Sequence, residues 1–127
     1  MIKIFISGPI TNGGTASEDE VYQNVANAVE VGIELIRKGY APFIPHLSVL
    51  TNNIAKQQGE EIPWQTWMTI DNAYLSESDA ILFLGNSKGA DIELECAKQF
   101  GLPVYYSVEE VPEIKPFVPS SYKDSPY

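Results

Sequence analysis

Four short apolar runs, each closed by a turn and parted from the next by residues of helical spacing, constrain this chain more than anything else in it. They are Ile2–Ile6, Ala41–Ile44, Asp79–Leu84 and Leu102–Tyr106. Ser7-Gly8-Pro9 stops the first, Pro45 the second and Gly85-Asn86 the third, as turn-forming residues do. Between the first two, Ser17-Glu18-Asp19-Glu20 matches a capping box, with Ser at the N-cap and Glu three positions on. The helix it opens puts Val21, Val25, Ala28, Val29, Gly32 and Ile36 on one face and ends at Gly39. Helical spacing returns at Trp64, Trp67, Met68, Asp71 and Leu75, and again over Ala90–Phe100. Residues 47–63 stay open: Leu47–Gln58 is compatible with a helix and Gly59–Pro63 with a loop.

Strand and helix in strict alternation argue for a parallel sheet covered by helices on both faces. The predicted fold is α/β, a three-layer Rossmann or flavodoxin-like sheet with strand order 2-1-3-4. Its topological switch point falls between strands one and three, and ligands bind at the carboxyl ends of strands beside such a point. The loops Ser7–Gly14 and Gly85–Ala90 are expected to meet there. A chain of 127 residues holds one such domain. We assign it to residues 1–111, followed by a tail, 112–127, with four of the nine prolines. That tail is expected to wrap the surface or reach a partner subunit.

Charge and composition exclude several functions. A net charge of −9 repels DNA and RNA. A small anion is still admissible, because backbone N–H groups at a helix start can hold one. No apolar run approaches the ~20 residues of a membrane span, and the N-terminal run is too short for a signal peptide. A single Cys96 forms no internal disulfide and suits a reducing cytoplasm. One His and one Cys cannot build a Cys/His zinc site; a carboxylate-bound Mg²⁺ is compatible with the composition but has no motif, and no cofactor or metal is expected.

The candidate chemistry lies in two carboxylates. Glu93 follows the strand-three turn in the run Ser87-Lys88-Gly89-Ala90-Asp91-Ile92-Glu93, inside a helix that starts at the crevice. Acids early in a helix also simply favour its dipole. Asp71 shares a helical face with Trp67, Met68 and Leu75, which point inward. It is therefore either a buried acid with a raised pKa, suited to proton donation, or an acid bonded to backbone N–H groups. A nucleophilic carboxylate and a protonated one ~5 Å apart form a retaining glycosidase pair. Glu93 as nucleophile and Asp71 as acid fit that scheme.

Other residues offer positioning roles. Ser7, Gly8, Pro9, Ile10 and Thr11 run toward the first helix; glycine permits close approach and the hydroxyls supply hydrogen bonds. The loop is neither a P-loop nor G-x-G-x-x-G. His46 stands at the crevice end of strand two, where it serves either as a ligand contact or as a structural histidine. Trp64 and Trp67 read as core or pocket wall, and Asp79 as a turn acid at the opposite sheet end.

Taken in order, Ser7-Gly8-Pro9-Ile10-Thr11, Pro45-His46, Trp64-x-x-Trp67-Met68-x-x-Asp71, Ser78-Asp79-Ala80, Ser87-x-Gly89-Ala90-x-x-Glu93-x-x-x-Ala97 and Gly101-x-Pro103 resemble the nucleoside 2-deoxyribosyltransferase superfamily. The resemblance spans residues 2–106 and is nearest to a short phage and bacterial branch related to deoxynucleoside-5′-monophosphate N-glycosidases. It implies that Glu93 forms a deoxyribosyl-enzyme intermediate and that Asp71 protonates or orients the base. Gly8 and Ile10 would shape the sugar and 5′ end, and Ser87 beside Gly89 would hold a 5′ group. The ligand implied is a small nucleoside or nucleotide. The resemblance also implies a homodimer or higher homo-oligomer, with a neighbour's C-terminal residues, here Ser120, Ser121 and Tyr127, completing the pocket. Two departures stand out. Phe5 replaces the strand-one Tyr that holds the nucleophile, and Thr11 and Asn12 stand where the N-glycosidase branch has a loop Arg.

Two readings follow. One is an enzyme that cleaves or transfers the N-glycosidic bond of a (deoxy)nucleoside or its 5′-monophosphate. The other is a non-catalytic module that senses or sequesters a nucleotide. A receiver domain would need acids and a Lys at strand ends, and a cytokinin-type phosphoribohydrolase a Pro-Gly-Gly-x-Gly-Thr loop; neither pattern is here. Residues 47–63 are expected to form a lid whose protease sensitivity a ligand suppresses.

Overall fold

The computed structural model describes residues 1–122. Its sheet has four parallel strands: β1 (Lys3–Ser7), β2 (Ala41–Phe43), β3 (Ala80–Phe83) and β4 (Val104–Tyr105), in the order β2-β1-β3-β4. The 2-1-3-4 expectation holds. Register pairs Phe5 with Phe43 on one side and with Ile81 on the other, so β1 is fully central. Strands alternate their side chains across the sheet, which divides the core in two. Ile4, Ile6 and Leu82 pack with Ala28 and Leu35 of helix α1 (Glu18–Arg37). Phe5 and Ile81 pack on the opposite face with Leu75 of α3 (Trp64–Ser76) and Ala97 of α4 (Lys88–Gln99). The result is a three-layer α/β sandwich.

The capping box at Ser17 is present, its hydroxyl accepting from the Glu20 N–H and the Glu20 carboxylate from the Ser17 N–H. The core face of α1 is displaced from expectation, because Leu35 is fully buried and Ile36 is 58% exposed. Both choices satisfy a 3.6-residue period from Gly32, and only the position of the sheet separates them. Residues 45–47 form a 3-10 turn that continues into α2 (Ser48–Gln57), and 58–63 form a loop. Asp79 joins the amino ends of β1 and β3, accepting from the Lys3 N–H at 2.8 Å.

The division after residue 111 is less sharp than composition suggests. Lys38 Nζ donates to the carbonyls of Val108 and Val111, and the Tyr40 hydroxyl to that of Pro112. Ile114 packs on the α1-side core, so the tail begins as a wrap on its own domain. Ser120–Tyr122 form a short turn, and Tyr127 lies outside the described residues. Among the described residues, no helix is long and apolar enough to cross a membrane.

Candidate active site

The parity of β1 decides what its last residue can reach. Ser7 lies two residues beyond Phe5 and faces the same side of the sheet, toward α3 and α4. There its buried hydroxyl donates to Glu93 Oε1 at 2.7 Å. Glu93 is carried into this position by α4, whose N-cap Ser87 accepts from the Ala90 N–H at 3.0 Å. Asp71 comes from the inward stripe of α3, one turn before Leu75. Both carboxyl groups are nearly inaccessible, Asp71 at 8% and Glu93 at 6% exposure, and they hydrogen-bond to each other.

Burial raises both acids out of the usual carboxylate range. Desolvation lifts Glu93 to about 8; the Ser7 hydroxyl opposes it, while the charge of Asp71 and the bond to it add to it. Desolvation likewise lifts Asp71 to about 6, opposed by its bond to Glu93. The two titrate as one system, and near neutral pH they share one proton. Of the two readings open for Asp71, its burial against a second acid favours the buried acid with a raised pKa. Its hydrogen-bond partner is a second acid, not a helix start.

The loops after β1 and β3 meet as their places in the topology require. A methyl group added at Gly8 would stand 3.0 Å from Leu84 Cβ, and one at Gly85 would stand 3.7 Å from Pro9 Cδ. His46 lies under this junction at 1% exposure, and the methyl position of Gly8 is 3.7 Å from its Nε2. Burial lowers its pKa to about 4, with the neighbouring Pro9 and Gly8 backbone acting the other way. Among the described residues, neither ring nitrogen has a hydrogen-bond partner. Ile10 is fastened by its carbonyl to Asn24 of α1 at 2.9 Å. Thr11 is exposed, and its carbonyl closes the loop upon itself by accepting from Gly14 and Ala16. Asn12, Gly13 and Gly14 follow with positive φ, a conformation glycine adopts without strain.

Ser87, Gly89 and Trp67 lie farther out along the helices. The Ser87 hydroxyl is engaged as a helix cap. Gly89 brings the starts of α3 and α4 together, its methyl position 3.3 Å from Met68 Sδ. Trp67 donates to Asn52 Oδ1 of α2 at 3.1 Å. Lys88 Nζ stands 4.9 Å from the centre of the Trp64 ring. Beside Glu93, a cleft of about 320 Å³ is lined by Met68, Thr69, Asn72, Ile92 and Cys96. Sequence reasoning placed none of these at a pocket; it gave Met68 only as an inward-facing residue of its helix. The available signal was their spacing of one to three positions from Asp71 and Glu93. The hydroxyl that holds Glu93 was also missed, because only Phe5 was considered for that task. Among the described residues, no three His, Cys, Asp or Glu side chains cluster to hold a metal ion.

Residues 2–106 match a domain family described as a domain of unknown function, DUF4406, and the chain belongs to it. No curated protein matches the sequence.

Proposed function

We propose that this member of the DUF4406 family cleaves or transfers the N-glycosidic bond of a small (deoxy)nucleoside or its 5′-monophosphate. The reading rests on one observation: two buried carboxyl groups in mutual hydrogen bond at the ligand-binding end of the sheet, one also held by a hydroxyl. The sequence resemblance to nucleoside 2-deoxyribosyltransferases supports the same chemistry. Direct contact between the two acids leaves no room for the water that an inverting pair holds between its carboxyl groups, which favours double displacement.

In the first step a Glu93 carboxylate oxygen bonds to the sugar C1′ as the C1′–N bond breaks. The departing base keeps the bonding electrons and takes a proton from Asp71. In the second, water attacks C1′, gives its proton to Asp71, and the bond from C1′ to Glu93 breaks. A second base attacking in place of water makes the protein a transferase. Burial raises both acids, so the pair holds a proton between them. A base nitrogen accepting from Asp71 draws the proton there, and the Ser7 hydroxyl then stabilises the charge left on Glu93. A site already −1 near neutrality also suits an oxocarbenium-like transition state.

The test is free-base release, followed by chromatography, from deoxynucleosides, ribonucleosides and their monophosphates, each with and without a second base. Release or exchange that disappears in Glu93→Ala establishes the enzyme and separates hydrolase from transferase. No release from any substrate overturns it and leaves the nucleotide-binding module, which the departures at Phe5 and in the first loop favour.

A further inference from the structure

We propose that Asn12-Gly13 is a self-modifying site, where asparagine converts to isoaspartate without enzyme or cofactor and places a carboxylate on the loop bordering the crevice. Asparagine is chemically labile where the amide nitrogen of the next residue can attack its side-chain carbonyl. The attack is fastest before glycine, which has no side chain in the way and the widest choice of backbone angles. Of the seven asparagines, Asn12 alone precedes glycine. Asn24 and Asn27 lie within α1, Asn52 and Asn53 within α2 and Asn72 within α3, where the helices fix the backbone. Asn86 precedes Ser87, the N-cap of α4.

The fold leaves this dipeptide free to react. Asn12 and Gly13 are exposed, and nothing stands within 4 Å of a methyl group placed at Gly13. Among the described residues, neither the Asn12 side-chain amide nor the Gly13 N–H has a hydrogen-bond partner. Asn12 is also the one non-glycine residue among them with positive φ, 48°, so its backbone gains by leaving that conformation. The bonds that close the turn are themselves exposed. Gly14 and Ala16 donate to the Thr11 carbonyl, both at 3.0 Å, and Thr15 donates to the Asn12 carbonyl through its N–H at 3.4 Å and its hydroxyl at 2.7 Å.

Once the turn opens, the Gly13 nitrogen loses its proton to solvent and bonds to Asn12 Cγ. The bond from Cγ to Nδ2 breaks, and ammonia leaves with a proton taken from water. Water then opens the five-membered imide. Addition at the former side-chain carbonyl gives aspartate. Addition at the main-chain carbonyl gives isoaspartate, the backbone now running through the side-chain carbons. In total one water is consumed and one ammonia released, with no oxidation or reduction. Isoaspartate adds a methylene to the main chain and displaces the carbonyl that Thr15 bonds to, so the turn loosens. The capping box at Ser17 lies beyond the turn and stays. The conversion proceeds whatever reaction the carboxyl pair performs.

Mass spectrometry tests this on the folded full chain, incubated near neutrality and in mild base and then cut after glutamate. The peptide Met1–Glu18 holds Asn12 and no other side-chain amide, so it reads the reaction directly. It should gain the mass of a hydroxyl over an amino group, faster in base, and should accept methyl groups from an isoaspartyl methyltransferase. Asn12→Gln should lose the gain over the same time, because a six-membered imide closes far more slowly. Gly13→Ala, for which there is room, should slow it severalfold. A peptide that keeps its mass overturns the proposal. Equal conversion at Asn86 overturns the selectivity, and a mass gain without methyl acceptance overturns the imide route. Hydrogen exchange then compares the incubated chain with Asn12→Asp, which carries the charge without the added methylene. Faster exchange at Gly14–Ala16 should appear in the incubated chain alone; equal exchange overturns the loosening of the turn.

Discussion

Ser7 is a small side chain with a specific task. Its hydroxyl donates to Glu93 and works against the burial that discourages charge there. Ser7→Ala removes that donor with little change in volume, leaving Glu93 harder to ionise. We expect the acidic limb of the rate profile to move to higher pH and turnover to fall by about 10- to 100-fold, the loss of a charge-assisted hydrogen bond of roughly 1.5–3 kcal/mol. A profile that keeps its shape would assign Ser7 a packing role alone. Glu93 has its own signature in stability. Its value in the folded chain, about 8, lies above the ordinary 4.5, and that of Asp71, about 6, above 3.8. For acids raised in this way the native state is favoured below the unfolded values, and that contribution is lost as pH rises through about 6 to 8. Glu93→Gln removes one of the two charges and keeps the shape. Its melting temperature should exceed that of the wild type at pH 8 and converge with it near pH 4. An equal difference at both pH values would show that the pair does not titrate in this range.

Among elements, the close approaches of glycine distinguish strand from helix. At Gly8 an added methyl group meets Leu84 Cβ at 3.0 Å, an atom fixed to the backbone of the neighbouring β3 chain. At Gly89 it meets Met68 Sδ at 3.3 Å, the far end of a flexible side chain. Gly8→Ala must therefore part the ends of β1 and β3, at roughly 1–3 kcal/mol for overpacking. Gly89→Ala gains up to about 1 kcal/mol of helix propensity against a contact that Met68 can relieve. Urea denaturation should show Gly8→Ala clearly destabilised and Gly89→Ala within about 1 kcal/mol of the parent; the reverse order would contradict the packing described. The same contrast shows what could be read from the sequence. Strand order, the Ser17 cap and the inward face of α3 were legible, because period and punctuation are local. The bond from Ser7 to Glu93 was not, since 86 residues separate the partners and the register of α4 over β1 decides it. Nor was the choice of Leu35 over Ile36, or the fastening of the tail by Lys38 and Tyr40, which uses backbone carbonyls that no residue pattern marks.

For the molecule as a whole, acidity and burial set opposite trends with pH. A chain at −9 with pI near 4.4 sheds self-repulsion on acidification, and the carboxyl pair adds to that gain. His46 opposes both. Its ring is buried without a hydrogen-bond partner, and its value falls from 6.5 to about 4. The unfolded chain takes up this proton below pH 6.5 while the folded chain refuses it until about pH 4. Stability from His46 is therefore complete above 6.5 and drains away between those values. His46→Leu abolishes this term and leaves an apolar group of similar size under the Gly8–Pro9 junction. From pH 8 to pH 5 the variant should gain roughly 2 kcal/mol relative to the wild type, the 1.4 kcal/mol per unit of a proton excluded over that interval. Paired chemical denaturation at the two pH values measures it. A constant difference would mean that the imidazole finds a partner for its proton in the native state, and His46 would then belong among the polar groups of the crevice rather than beneath its floor.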